Sequence, residues 1–210
     1  MAKHNECNER LKREYFAYLQ EAQRYGEQSV DAVAMALARF ETYTKFRDFK
    51  TFRPAQAIAF KKNLAEQLSQ RGSGTLSKST VRATLAALRK FFVWLAGRPG
   101  YRSRLSYTDA DYFNPTDRDS RIALARRPRP VPAVDQVIRV LGSMPSVSNF
   151  DRRDRALIAF TLLTGCRDRA TVTLKLKHID LMKELVFQDA REVQTKRGQA
   201  SRRTTRSSRA

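Results

Sequence analysis

The sequence predicts a mainly α protein: a four-helix N-terminal domain, then a second helical domain that ends in a short β-hairpin. Three observations predict it. Apolar residues recur at spacings of three and four in four separate stretches of the first hundred positions. An Arg- and Pro-rich stretch, residues 98–132, then breaks any core-forming pattern. Beyond it, further helical patterns give way to the alternating "ELVFQ" and a turn at Arg197–Gly198. The expected boundaries are 1–100 for the first domain, 101–131 for a linker, 132–198 for the second domain and 199–210 for a basic tail.

The first helix runs from about Asn8 to Tyr25, with Leu11, Tyr15, Tyr18, Ala22 and Tyr25 on one face and Gly26 ending it. The second starts near Ser29, a good N-cap, and turns Val30, Val33, Leu37 and Phe40 inward. The third begins near Pro54, whose fixed φ suits a first helical position, and carries Ala57, Phe60, Leu64 and Leu68. "RGSGTLS", residues 71–77, is a loop of turn formers. The fourth helix, "SKSTVRATLAALRKFFVWLAG" (77–97), is the most regular, with Val81, Leu85, Leu88, Phe92 and Leu95 as its apolar stripe.

In the second domain, residues 133–144 read as a helix with Val134, Val137, Ile138 and Leu141 inward. Residues 151–165 read as another, with Asp151 as N-cap and Gly165 near the C-terminus. "RATVTLKLKHIDL" holds a further short helix or turn. "ELVFQ" is a strand, and "REVQTKRGQ" continues strand-like. The last ten residues, SRRTTRSSRA, have no apolar side chain larger than Ala to bury, so disorder is expected there.

Charge narrows the function. Lys and Arg number 41 against 21 Asp and Glu, a formal net charge of +20. Such a surface attracts polyanions, of which nucleic acid is the commonest. No apolar run approaches the roughly eighteen residues of a membrane span. The stretch Ala156 to Leu163 is much shorter, and the opening MAKHNECNERLKRE has no apolar signal region. The expectation is a soluble, cytoplasmic protein with no membrane partner. Cys7 and Cys166 are far apart, and His4 and His178 are isolated, so no metal site is expected.

The fourth helix is the leading candidate for DNA contact. At about 100° per residue, Lys78, Arg82 and Arg89 fall within about 40° of one another beside the apolar stripe. Ser77, Ser79 and Thr80 add hydroxyl donors, alongside free backbone N–H groups at the helix start. Arg126, Arg127 and Arg129 in "RRPRPVP" make a basic strap suited to a polyanion. Each pattern has a plain alternative: a solvated helix edge for the stripe, solubility for the strap.

The apolar helix ending "LLTGCR", then "LKLKHIDL", a strand and "VQTKRG", resembles the catalytic domain of the tyrosine recombinases, the phage integrase family. The four basic helices before it resemble that family's SAM-like core-binding domain, so the likeness spans roughly residues 8–198. It implies double-stranded DNA and other recombinase protomers as partners. It also implies DNA strand cleavage and rejoining through a phosphotyrosine, with no metal or other cofactor. Without a metal, Arg forks must stabilise the charge on the transferring phosphate. By resemblance Arg167 matches the first catalytic Arg. Lys196 matches the hairpin Lys that protonates the leaving oxygen, with Lys175, Lys177 and Lys183 as alternatives.

The sequence also departs from the family. Ala170 stands where an acid often follows the Arg. No His-x-x-Arg box follows Lys196, and position 181, three after His178, is Leu. All seven Tyr precede Arg167, Tyr112 being the last. The catalytic groups act as a unit, so a truncated catalytic domain that binds DNA without cutting it is expected. The alternatives are a Tyr donated by a partner protomer and a non-catalytic regulator or competitor of a full-length integrase. The abrupt change to Ser, Arg, Thr and Ala reads as a shifted reading frame in a mobile element's integrase gene, with a basic DNA-binding arm as its rival.

Overall fold

The computed structural model describes residues 4–69, 74–125 and 130–195, and the backbone of 201–204. The chain divides into two compact units, Met1–Arg127 and Pro128–Ala210.

The first unit contains α1 (Glu6–Glu21), α2 (Glu27–Thr44), α3 (Pro54–Glu66), α4 (Lys78–Ala96) and α5 (Asp117–Leu124), with 3₁₀ segments at Phe49–Thr51 and Tyr107–Phe113. α4 lies at its centre, against α2, α3, α5 and the second 3₁₀ segment. Its stripe is as expected: Val81, Leu85, Leu88, Phe92 and Leu95 are all buried. Pro54 opens α3, and Ser77 caps α4 by accepting from the Thr80 N–H. An aromatic cluster fills the middle. The Phe92 ring centroid lies 4.1 Å from that of Phe52, and 5.2 Å from Phe113, 5.4 Å from Phe91 and 5.6 Å from Phe40, the last three within the range of favourable ring pairing.

α1 differs from the sequence expectation. It ends at Glu21, because Arg24 turns left-handed (φ 55°) and the Tyr25 N–H reaches back to the Leu19 carbonyl at 2.9 Å. Gly26 instead precedes α2 as its N-cap, so α2 starts two residues before Ser29. The buried face of α1 is Asn8, Leu11, Tyr15 and Leu19, and Tyr18 stays exposed. Leu68, beyond the end of α3, is exposed too. The shift on α1 has a physical cause in Asn8, a fully buried amide. Its side chain donates to Glu41 Oε1 (3.1 Å) and the Arg47 carbonyl (3.0 Å), and accepts from the Phe49 N–H (3.1 Å). Lys12 Nζ donates to Glu41 Oε2 at 2.6 Å and to Glu9 at 2.7 Å. One polar knot thus fixes α1 to α2 and to the first 3₁₀ turn.

Two predictions follow from this knot and its surroundings. Glu41→Gln keeps the shape but leaves the Lys12 ammonium without its buried counter-charge. The cost expected in thermal unfolding is about 1–3 kcal/mol. The second concerns alkaline pH. Burial pulls the Lys12 pKa down, but hydrogen bonds to Glu41 and Glu9 offset it and raise it overall. Burial pushes Tyr101 up to about 12 and raises Tyr15 further. All three native values lie above the unfolded ones. Their contribution is therefore intact below about pH 10 and is lost as pH rises through the native values. A pH titration of unfolding, followed by tyrosinate absorbance, should show stability falling only on the alkaline side of pH 10 for these groups.

The expected linker is instead part of the first unit. Tyr101, Leu105, Ala110 and Phe113 are buried in the same core as the four helices. Ser106 caps the second 3₁₀ segment, and Thr116 caps α5. The Arg and Pro content masked four apolar residues whose irregular spacing fits a 3₁₀ segment and turns rather than an α-helix.

The second unit contains α6 (Val134–Ser143), α7 (Asn149–Thr164), α8 (Asp168–Thr173), a 3₁₀ turn at Leu176–His178, and strands β1 (Ile179–Asp180), β2 (Leu185–Gln188) and β3 (Ser201–Thr204). The strands form one antiparallel sheet in the order β1-β2-β3. α7 starts two residues before Asp151. Ser148 is the N-cap, and Asp151 accepts from the Ser148 N–H in return. α6 matches its expected span, but Val134 and Ile138 are exposed, since α6 meets little besides α7 within this unit.

Two expectations at the C-terminal end are corrected. Residues 189–193 form a turn rather than strand, closed by the Val193 N–H to the Asp189 carbonyl at 2.7 Å. Residues 201–204, expected to be disordered, pair with β2 in the register Leu185↔Thr204 to Gln188↔Ser201. Main-chain hydrogen bonds to the free edge of β2 need no apolar side chain, which is why composition misled there. The Arg197–Gly198 turn lies outside the described residues.

Candidate nucleic-acid interface

The basic face of α4 forms as the helical period dictates, and its side chains have specific neighbours. Lys78 Nζ sits 2.9 Å from Asp119 Oδ1 on α5. Arg89 forks onto Asp111 Oδ1 through Nε (2.9 Å) and Nη2 (2.7 Å). Arg82, between them, is exposed and has no hydrogen bond or ion pair with the described residues. Ser77 and Thr80 are joined through their hydroxyls at 2.9 Å, besides the cap. The Ser79 hydroxyl donates to the Ala123 carbonyl of α5 at 2.8 Å. Thus Lys78, Arg82 and Arg89 lie on one face of α4, and of the α4 residues expected to meet DNA all but Arg82 are engaged within the unit. Sequence reasoning missed Asp111 and Asp119 as partners of the stripe. Four Asp between positions 109 and 119 of a chain with 21 acids in all were the available signal. It also missed Arg39 on α2, which donates to the buried Thr84 hydroxyl of α4 at 3.1 Å.

Salt-bridging lowers the Asp119 pKa, chiefly through the Lys78 hydrogen bond. Both ion pairs are solvent-exposed, so each holds its partner only weakly. Arg126, Arg127 and Arg129 lie outside the described residues.

In the second unit, the backbone around Arg167 is pinned from three sides. α7 ends on Gly165 in the left-handed region (φ 58°), a conformation that favours glycine. The Thr164 hydroxyl accepts from the Cys166 N–H at 3.2 Å. Buried Cys166 in turn accepts from Gln188 Nε2 of β2 through its sulfur at 2.9 Å. Arg167 itself is the N-cap position of α8, and its exposed guanidinium has no partner among the described residues. It therefore caps no helix carbonyl there, and the fork is available to an anion. Lys196 lies outside the described residues, so its relation to Arg167 is not defined by them.

The alternative lysines are placed differently. Lys177 and Lys175 both meet Glu192, at 2.7 and 3.5 Å, and Lys183 meets Asp180 at 3.3 Å. These contacts hold the Glu192 and Asp180 carboxyls below their usual range, led by the Lys177 hydrogen bond for Glu192 and the Lys183 backbone N–H for Asp180. His178 is buried. Its Nδ1 accepts from the Lys175 N–H (3.1 Å), which leaves Nε2 as the nitrogen that donates to Glu192 (3.1 Å). It is a packing residue of the 3₁₀ turn, not a solvent-facing acid.

Residues 13–98 match the family described as phage integrase, N-terminal SAM-like domain. The first unit carries a phage-integrase, or tyrosine-recombinase, N-terminal domain. The matched SAM-like domain begins within α1, runs through all of α4 and ends just past it, so the basic face described above lies inside it. No curated protein matches the chain. No helix among the described residues is long and apolar enough to cross a membrane.

Proposed function

We propose that this chain is a double-stranded-DNA-binding protein of the tyrosine recombinase family, and that these 210 residues bind DNA without cutting it. The SAM-like domain grips the duplex through Lys78, Arg82 and Arg89 of α4, aided by Ser77, Ser79 and Thr80, with Arg126, Arg127 and Arg129 as further phosphate contacts. The observation that carries the reading is the position of the α4 face inside the matched domain, with Arg82 exposed and unpartnered at its middle.

In the second unit, Arg167 holds a phosphate. A guanidinium offers two parallel N–H donors at fixed geometry, which suits a phosphate oxygen pair. The pinning of its backbone by Gly165, Cys166 and Gln188 fixes where that fork starts. In the family's chemistry such an Arg stabilises the charge that builds on the phosphate during attack by a Tyr hydroxyl, and Lys196 is the proposed proton donor to the leaving oxygen. No Tyr follows Arg167 in these residues to act as the nucleophile.

A nicked duplex that traps phosphotyrosyl intermediates tests both halves. Binding is expected by gel shift, with no covalent protein–DNA product on a denaturing gel. A covalent product would overturn the non-catalytic reading. Loss of the gel shift at low salt would overturn the binding reading.

A further inference from the structure

The segment that follows the SAM-like core runs back along α4. Lys78, at the start of α4, meets Asp119, and Arg89, eleven positions later, meets Asp111. The two outer cations of the basic stripe are therefore both neutralised by one acidic segment of the same chain. Ser79, next to Lys78 in the first turn of α4, is tied to the same segment through the Ala123 carbonyl.

The segment is held unevenly. Its first part is anchored, because Ala110 and Phe113 are buried in the core. α5 has no buried residue, and its Ile122 and Leu124 are exposed. Between the two lies Asn114-Pro115-Thr116, where the Asn114 carbonyl accepts from Lys61 at 3.1 Å. Exposed ion pairs of this kind exchange readily for stronger anions. A duplex offers two phosphates per base-pair step against the single carboxylate that each cation now has.

We propose that α5 is a displaceable strap: its carboxylate and carbonyl occupy the N-terminal half of the α4 basic face, and duplex DNA binds that face by lifting α5. The proposal rests on the DNA-binding reading above and adds its regulation. Arg89 changes partner by side-chain rotation, since Asp111 sits in the anchored part. Freeing Lys78 and the Ser79 hydroxyl requires α5 to move. The chain thereby carries an internal competitor that lowers its affinity for weak polyanions and yields to a duplex long enough to engage the whole stripe. The rival is that α5 stays in place and its acids only orient Lys78 and Arg89 toward DNA.

Amide hydrogen exchange of the full chain, with and without a saturating mixed-sequence duplex, separates these. Lifting predicts that the hydrogen-bonded amides of α5 exchange at least about tenfold faster in the complex, while those of α4 do not. Unchanged or slower exchange in α5 overturns the strap and leaves the DNA-binding reading standing. Absence of any duplex binding overturns the reading and the strap together. A second measurement uses Asp119→Asn against Asp31→Asn, which removes the same charge from an exposed position of α2. Release of the strap predicts affinity about twofold to fivefold above that of the Asp31→Asn protein. Affinity equal to or below that control overturns it.

Discussion

Replacing Phe92 by Ala is expected to destabilise the N-terminal unit by about 3–5 kcal/mol, enough to unfold a large fraction of it at moderate temperature. Phe92 is 2% exposed and touches Phe40 of α2, Phe91 of α4, Phe52 just before α3 and Phe113 of the second 3₁₀ segment. Its removal leaves a void that these rings cannot close together, because they are also packed against one another: Phe40 on Phe113 at 5.6 Å, Phe52 on Phe113 at 5.6 Å. The companion change Phe150→Ala, on an exposed ring of α7, should cost little. Chemical denaturation followed by the signal of the single Trp, Trp94, which packs on Tyr15 at 4.9 Å, reads the first unit directly. Equal midpoints for the two variants would mean that the aromatic cluster is not the centre of the fold.

The second large effect is on binding. Each cation that neutralises a phosphate contributes about 0.9 to the slope of log affinity against log salt. Removing Lys78, Arg82 and Arg89 together should lower that slope by about 2.7 and weaken binding near 0.1 M salt by about two to three orders of magnitude. None of the three is buried in the core, so the fold is expected to survive. The rest of the +20 charge supplies a residual, non-specific attraction that the variant retains.

Much of the first unit was legible because its helices bury one stripe each. α4 shows this best: a 3.6-residue period, Ser77 at one end and Gly97 at the other, all realised. Asn8 shows the limit. A buried amide looks like a surface residue until the Glu41, Arg47 and Phe49 groups it satisfies are brought beside it by the fold. The Tyr101–Phe113 stretch was missed for a related reason. Its apolar residues follow no helical or strand period, so only tertiary packing reveals them as core. The β3 pairing depends on a free strand edge, which side-chain composition does not encode.

At the candidate interface, the period of α4 was enough to place Lys78, Arg82 and Arg89 on one face. It could not reveal that Asp111 and Asp119 come to that face from a different segment, since such pairing is decided by how the chain doubles back. For Arg167 the "TG" before it was informative, because Gly165 does adopt the left-handed turn that ends α7. The Gln188–Cys166 hydrogen bond behind it joins residues 22 apart, and no local pattern announces that contact.

The most direct test of the central claim is the salt dependence of duplex binding, measured side by side for the unaltered chain and for the Lys78→Ala, Arg82→Ala, Arg89→Ala protein, with circular dichroism to verify that both are folded. The account predicts a linear fall of log affinity with log salt in both, shallower by about 2.7 in the variant. Identical affinities and slopes in two folded proteins would contradict it, and would move the DNA-binding surface away from α4.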